Sequence, residues 1–398
     1  MKIKNIRARK VLNSRGNFTI EVILETPQGI FKSQVPGGAS TGKYEAKVVS
    51  VEKAIKNIKN IISKELRGKD VTEQEKIDKF LIPQKFGANA TTGVSLAVCR
   101  AGAKAKNLPL YQYIANFLKL KKLSLPFPSF NIINGGLHAG NELDFQEFMI
   151  VPQEKIFSKN LFLAVQIYHK LKKLIKDKFV DLAINVGDEG GFAPPIVTPE
   201  EGIDLILEVL RELNCEGRVK MIIDVASSQF YQRGKYKLKI GVFDREKLAK
   251  YYLSLVKKYP LLLGIEDPFG ENDWEGWSNF YLKIKKKKKG FIIIGDDLLV
   301  TNPKRIKMAQ KKKVCNGAII KINQIGTLSQ AISAVRLAQS FGWKIVVSHR
   351  SGETTDDFIA DFAVGVGADF IKTGAPARGE RVVKYNRLLE IEEELKKL

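Results

Sequence analysis

The chain is poor in cysteine. Cys99, Cys215 and Cys315 are scattered without CxxC spacing, which excludes a thiolate zinc site and a disulfide scaffold and fits a reducing compartment. No apolar run approaches the ~20 residues needed to cross a bilayer, so no membrane attachment is expected. The first residues, MKIKNIRARK, lack the apolar stretch of a secretory signal, and a cytoplasmic location is expected. No internal repeat or low-complexity linker is found. Acidic residues are outnumbered, with 43 Asp and Glu against 66 Lys and Arg, leaving a formal net charge of +23.

Charge of that size can bind nucleic acid or an anionic surface non-specifically. Here much of it lies on helical faces and in KIKKKKKG, Lys283 to Gly290. That run closes a helical segment just before an apolar strand, where lysines suit the negative end of the helix dipole. No aromatic-interleaved RNA motif accompanies it, so a solvated face is expected, with no specific nucleic-acid partner.

The length of 398 residues and an apolar fraction of 44% allow a large core, in two domains or a barrel with an addition. Residues 3–35 alternate apolar and polar in three segments separated by NSRGN and TPQG, which predicts an antiparallel meander. VPGGASTGKYEA, Val35 to Ala46, reads as a mobile loop running into a helix. Helical periodicity follows to about Lys122, completing an α+β domain over 1–124. Pro126 and Pro128 open the second domain, 125–398. FPSFNIIN and LDFQEFMIVP read as its first strands, and a long helix runs from Ser158 to about Lys178. VGDEGGFAPP is too rich in glycine and proline for regular structure. Beyond it, strands and amphipathic helices alternate to the end, which predicts βα units and a parallel sheet.

Four apolar runs of the second domain each end in a charged residue: KMIID at Asp224, LLLGIE at Glu266, FIIIGD at Asp296 and GAIIK at Lys321. One such residue is ordinarily a solvated strand end. Four in register face the open end of a barrel, where such folds keep their active sites. Three carboxylates converging there repel one another unless a positive group intervenes. A hard divalent cation held by oxygen is the simplest candidate, and Mg2+ suits a site that also takes phosphate. Lys372 also ends a strand, and two neighbouring ammonium groups depress each other's pKa, making a neutral lysine available as a base. His138 and His349 lie in glycine-rich turns where binding residues gather, whereas His169 sits in a helix as a surface or packing residue. Arg350 and Ser351 beside His349 offer planar and hydroxyl donors for phosphate. Glu147 and Glu189 are the remaining acids placed for proton transfer. Gly37 to Lys43 matches GxxxxGK, but Tyr44 stands where a nucleotide-binding loop needs Ser or Thr, so a loop closing over an anionic substrate, with Ser40 reaching its metal, fits better.

SRGN, GASTG, HAGN, QEFMI, NVGDEGGFAP, IEDPF, DDL, VTNP, SHRSGET and IKTGAPAR occur in this order. With these motifs the chain resembles the enolase family over essentially its full length, as a compact, lysine-rich member with a shortened first domain and C-terminus. The resemblance implies an α/β fold: a (β/α)8 TIM-like barrel whose first turns depart from strict alternation, capped by the α+β domain. It implies Mg2+-dependent, reversible dehydration of 2-phosphoglycerate to phosphoenolpyruvate, with two Mg2+ per site and a homodimer. Asp224, Glu266 and Asp296 would hold one ion and Ser40 would help hold the second. Lys321 would be the base and Glu189 the acid, assisted by Glu147. His138, Gln146, His349, Arg350, Ser351 and Lys372 would bind substrate, with the Glu147, Glu266 and Asp296 carboxylates beside it and His349 next to the proton transfer. Across the dimer, Arg15 would meet Glu393. Alternatives are another enolase-superfamily lyase or isomerase acting on a different carboxylate, and a basic nucleic-acid-binding protein that has lost catalysis. Asn13, Phe18, Gly37 and Gly379 depart from the family's usual residues, none of them at a catalytic position.

Overall fold

The computed structural model describes residues 1–38 and 42–397. The predicted meander is present as β1 (Asn5–Leu12), β2 (Phe18–Thr26) and β3 (Gly29–Gln34), paired antiparallel in that order. Its inward alternation buries Ile6, Ile20, Val22 and Leu24 against the helix Ala88–Ala105. Gly93 permits that contact, because a Cβ there would meet Val22 at 2.5 Å. The segment after Gly42 stays irregular until a helix starts at Val51, capped by Ser50.

Eight strands close a barrel in the order β10-β11-β12-β13-β14-β4-β5-β6. They are β4 (Phe127–Asn134), β5 (Glu147–Pro152), β6 (Val219–Asp224), β10 (Leu262–Glu266), β11 (Ile292–Gly295), β12 (Gly317–Ile320), β13 (Lys344–Ser348) and β14 (Phe370–Lys372). A small meander of β7 (Tyr231–Gln232), β8 (Lys235–Leu238) and β9 (Gly241–Phe243) follows β6. Seven barrel strands run parallel, and β5 runs against both its neighbours. The physical reason is the link before it: residues 135–146 hold only a 3-10 turn, Gly136–His138, too little for the crossover a parallel return needs. Two helices, Phe157–Lys178 and Pro199–Glu212, then precede β6, and strict βα alternation begins only there.

Inside the barrel, Met149, Val151, Ile222, Ile292, Ile294, Ile319, Val346 and Phe370 form a packed plug. The larger core lies between strands and outer helices. It also takes in Leu96, Cys99, Tyr111, Tyr113 and Ile114, so helices from the first 124 residues pack directly into barrel core. Arg100 reinforces the joint, with Nη1 and Nη2 2.9 and 3.0 Å from the Asp356 carboxylate and Nη2 2.6 Å from Asp357. The lysine run ends the helix Trp274–Lys287 with Lys285, Lys286 and Lys287 exposed. Among the described residues no helix is long and apolar enough to cross a membrane.

Candidate active site

Strand register builds the site. Asp224 ends β6 and pairs laterally with Glu266 at the end of β10 and with Glu147. Glu147 reaches the same rim because β5 is antiparallel, so its first residue lies where its neighbours' last ones do. Asp296 and Lys321 directly follow β11 and β12, while Ser348 at the end of β13 pairs with Lys372. His138, Asp188 and Glu189 come from two loops held together by the Asp188 amide donating to the His138 carbonyl at 2.9 Å.

All of these except Asp188 and Glu266 line one open cleft of about 530 Å3, joined by Glu45, Gln146, Arg350 and Ser351. Glu266 does not line it; both its oxygens lie 2.8 and 3.0 Å from Lys372 Nζ. The same ammonium is 3.0 Å from Glu147 and 3.4 Å from Asp224. Lys321 pairs with Asp296, whose other oxygen accepts from Gln324 Nε2 at 2.9 Å. Arg350 engages Glu45 through both Nη atoms, at 2.9 and 3.2 Å. Ser40 lies outside the described residues.

Burial dominates the electrostatics. It lifts the Glu147 carboxyl well above its ordinary value, helped by the charge of Glu189, and lifts Glu266 likewise beside Asp224. For Glu189 burial acts in the same direction, yet His349 and His138 beside it, with the Arg381 guanidinium beyond, hold it well below. Glu147 and Glu189 place carboxylate oxygens within 4.8 Å of each other, too close for both to ionise freely, and Glu147, the raised one, is where the proton resides. His349 is brought down to about 3 by burial and by Arg381, so it is neutral near pH 7.

The expectation that Lys321 and Lys372 depress each other is corrected here. Burial and neighbouring cations do pull Lys321 down, but Asp296 raises it above its ordinary value. Glu147, Glu266 and Asp224 do the same to Lys372, more strongly. Both ammonium groups sit where carboxylates converge, so the rim is built to hold positive charge. A donor set of buried carboxylates, with no thiolate, fits a hard divalent cation. Of Asp224, Glu266 and Asp296, the ligands the resemblance implies, only Asp296 belongs to a group of acids whose oxygens lie within 4.8 Å of one another, with Asp267 and Asp297.

Several residues of the site had no assignment from sequence. Asp267 accepts from the Asp296 and Asp297 amides at 2.9 and 2.7 Å, fixing the strand end that carries Asp296. Asp297 is pushed up to about 7 by burial and by Asp296. Asn131 donates to Glu189 at 3.0 Å. The doubled acids in IEDPF and DDL were the available signal for Asp267 and Asp297; Asn131 inside FPSFNIIN offered none.

Residues 3–114 match the family described as "Enolase, N-terminal domain", and residues 122–398 match "Enolase, C-terminal TIM barrel domain". The chain belongs to the enolase family. As a lyase of the enolase superfamily it carries two groups of side chains that could hold a metal, His138 with Glu147 and Glu189, and Asp267 with Asp296 and Asp297. Superfamily sites are known to pair a lysine or histidine base with Mg2+, a property of the superfamily and not a reading of these distances.

Proposed function

We propose that this enolase-family chain dehydrates 2-phospho-D-glycerate to phosphoenolpyruvate, reversibly and with Mg2+, in the cytoplasm. One observation carries the reading. A single cavity is lined both by a proton-transfer set, Lys321 with Glu147 and Glu189, and by Arg350 and Ser351, groups suited to a phosphate.

In this reading Lys321, released from Asp296 and unprotonated, removes the proton alpha to the substrate carboxylate, and that carboxylate gathers a second negative charge. Lys372, rooted among three acids, supports the charge from below. Asp224, Glu266 and Asp296 would hold one Mg2+, with Ser40 the proposed ligand of a second, and such ions would supply further positive charge there. The proton resting on Glu147 then passes by way of Glu189, the acid, to the departing hydroxyl. The carbon–oxygen bond breaks, the double bond forms and water leaves. Gln146, His138 and neutral His349 line the same cavity and orient the substrate. Each proton-transfer group is expected to contribute about 10²–10⁴-fold in rate.

The test follows product absorbance on adding 2-phosphoglycerate and Mg2+, with hydrogen exchange at the alpha carbon in two variants. Lys321→Ala should abolish exchange, whereas Glu189→Gln should keep some while blocking hydroxide loss. Turnover of an unphosphorylated acid in place of 2-phosphoglycerate would instead favour another superfamily reaction. Tight, sequence-selective nucleic-acid binding at physiological salt, read by filter titration, would contradict the solvated-face view of the charge.

A homodimer is proposed with it, joining the capping domain to the partner's barrel. Leu12 and Phe18, paired across the β1–β2 turn, are exposed and supply apolar area beside Arg15. Arg15 Nε lies 3.2 Å from Asp188 of its own chain, leaving exposed Glu393 to be reached only in the assembly. An ion pair contributes about 0–1 kcal/mol, so apolar contact must hold the dimer. Sedimentation across a salt series should show a dimer that loosens at low ionic strength, and a monomer throughout would refute it.

A further inference from the structure

The last helix begins with an arginine that a surface helix would normally turn to water. Arg381, the third residue of Gly379–Lys396, has no exposed side-chain surface. A buried guanidinium is tolerated only when its donors are used. Nη1 donates to the Arg350 carbonyl at 2.7 Å, and Nη2 donates to those of Asp188 at 3.0 Å and Ser351 at 2.7 Å. Nε alone makes no hydrogen bond, with the Glu380 carboxylate 3.4 Å away to balance its charge. The remaining contact is with a side chain: Nη1 is 2.7 Å from His349 Nδ1.

That contact decides a proton position. Arginine is a donor only and does not lose its proton, so Nδ1 must present a lone pair. A neutral imidazole then carries its proton on Nε2, which lies 3.0 Å from Glu189 Oε2 at an angle that leaves the hydrogen bond unformed. The other tautomer would set N–H against N–H on one side and a lone pair against a carboxylate on the other. We propose that Arg381 is a positioning residue that locks His349 in its Nε2–H tautomer, with that proton facing Glu189. The same guanidinium holds the carbonyl of Asp188, next to Glu189, so the acid is fixed through its backbone and its side chain at once. The partner on the second nitrogen selecting the tautomer of the first is a general property of histidine. The consequence for turnover rests on the reaction proposed above; the tautomer does not.

The chain has only three histidines, so full-length protein labelled with 15N in histidine gives a spectrum of three rings, with His349 identified by its loss in H349Q. The expected result is an unprotonated Nδ1 and a protonated Nε2 in the unsubstituted chain near neutral pH. A proton on Nδ1, alone or with Nε2, overturns the proposal, and this measurement needs no folded variant. In R381M a share of the Nδ1–H form should emerge, with kcat falling about 10–100-fold and KM far less affected. R381K, which keeps one donor, should recover the tautomer. An unchanged tautomer in R381M overturns the role of Arg381 whatever its rate. A chain inactive on 2-phosphoglycerate but showing the expected tautomer would sink the reaction and leave this assignment standing.

Discussion

Replacing Lys372 with methionine removes the positive centre of the rim while keeping the side chain's length and apolar stem. Three carboxylates then lose an ammonium that lay 2.8 Å from Glu266, 3.0 Å from Glu147 and 3.4 Å from Asp224. With an effective dielectric constant of about 20, one such contact near 3 Å is worth ~5 kcal/mol before desolvation. Desolvation of the ammonium offsets much of that, but deleting one partner leaves the buried acids uncompensated, and such deletions cost about 3–5 kcal/mol. Part of the loss is recoverable, because Glu147 and Glu266 already lie above their ordinary carboxyl range and can hold protons instead. The sign follows from that. A carboxyl whose folded pKa is raised opposes folding increasingly as pH climbs above its unfolded value near 4.3. Lys372 itself is raised, so it stays charged, and its own contribution fades only above about pH 10.4. The deficit of Lys372→Met should therefore be small near pH 5 and approach about 3 kcal/mol near pH 8.5. Urea unfolding of metal-free protein at both pH values measures it. Mg2+ should shrink the deficit at pH 8.5, because the cation takes up the charge the lysine balanced. Equal stability of variant and parent at pH 8.5, or a deficit that does not change with pH, would refute this account of the rim.

Asp224→Asn should weaken Mg2+ binding by removing one anionic oxygen ligand, with the fold retained because the apolar plug lies below the rim; isothermal titration checks it, and unchanged affinity rules Asp224 out as a ligand. Arg100→Met should loosen the capping domain from the barrel by about 3–5 kcal/mol, read as early protease cleavage between the two. Asp356, held below its ordinary value by Arg100 despite burial, stabilises the parent above about pH 4 and loses that effect as pH falls through its lowered value, so the difference between parent and variant should narrow in acid. Gly365→Ala should cost about 1–3 kcal/mol in thermal stability, since a Cβ there would meet the Tyr111 carbonyl and Ile114 Cβ, both at 2.7 Å.

What the sequence determined by itself was whatever repeats along the chain. Period-two alternation in residues 3–35 specified the meander, and apolar runs ending in single charges specified both the barrel strands and the rim. Asp224, Glu266, Asp296, Lys321 and Lys372 were legible because a strand's end is a one-dimensional property: the apolar run stops, and the next side chain meets the rim, where all but Glu266 line the cavity. Glu147 was legible as an acid but not as a neighbour of Asp224, because its place depends on β5 running backwards. That direction follows from a link too short and too irregular to cross the barrel.

Tertiary structure alone decided the pairings. Lys372 meets Glu266 across 106 residues, Arg350 meets Glu45 across 305 and Arg100 meets Asp356 across 256. No local periodicity encodes such contacts, since they exist only once the barrel has closed and the capping domain has docked. Pairing in turn set the protonation states. Two lysines that in isolation would depress each other are raised, because each is shared with carboxylates brought in from other strands. Arg381 shows the limit most plainly. In sequence it is one more basic residue in a lysine-rich chain, and only the turn of the last helix into the barrel puts its guanidinium against His349.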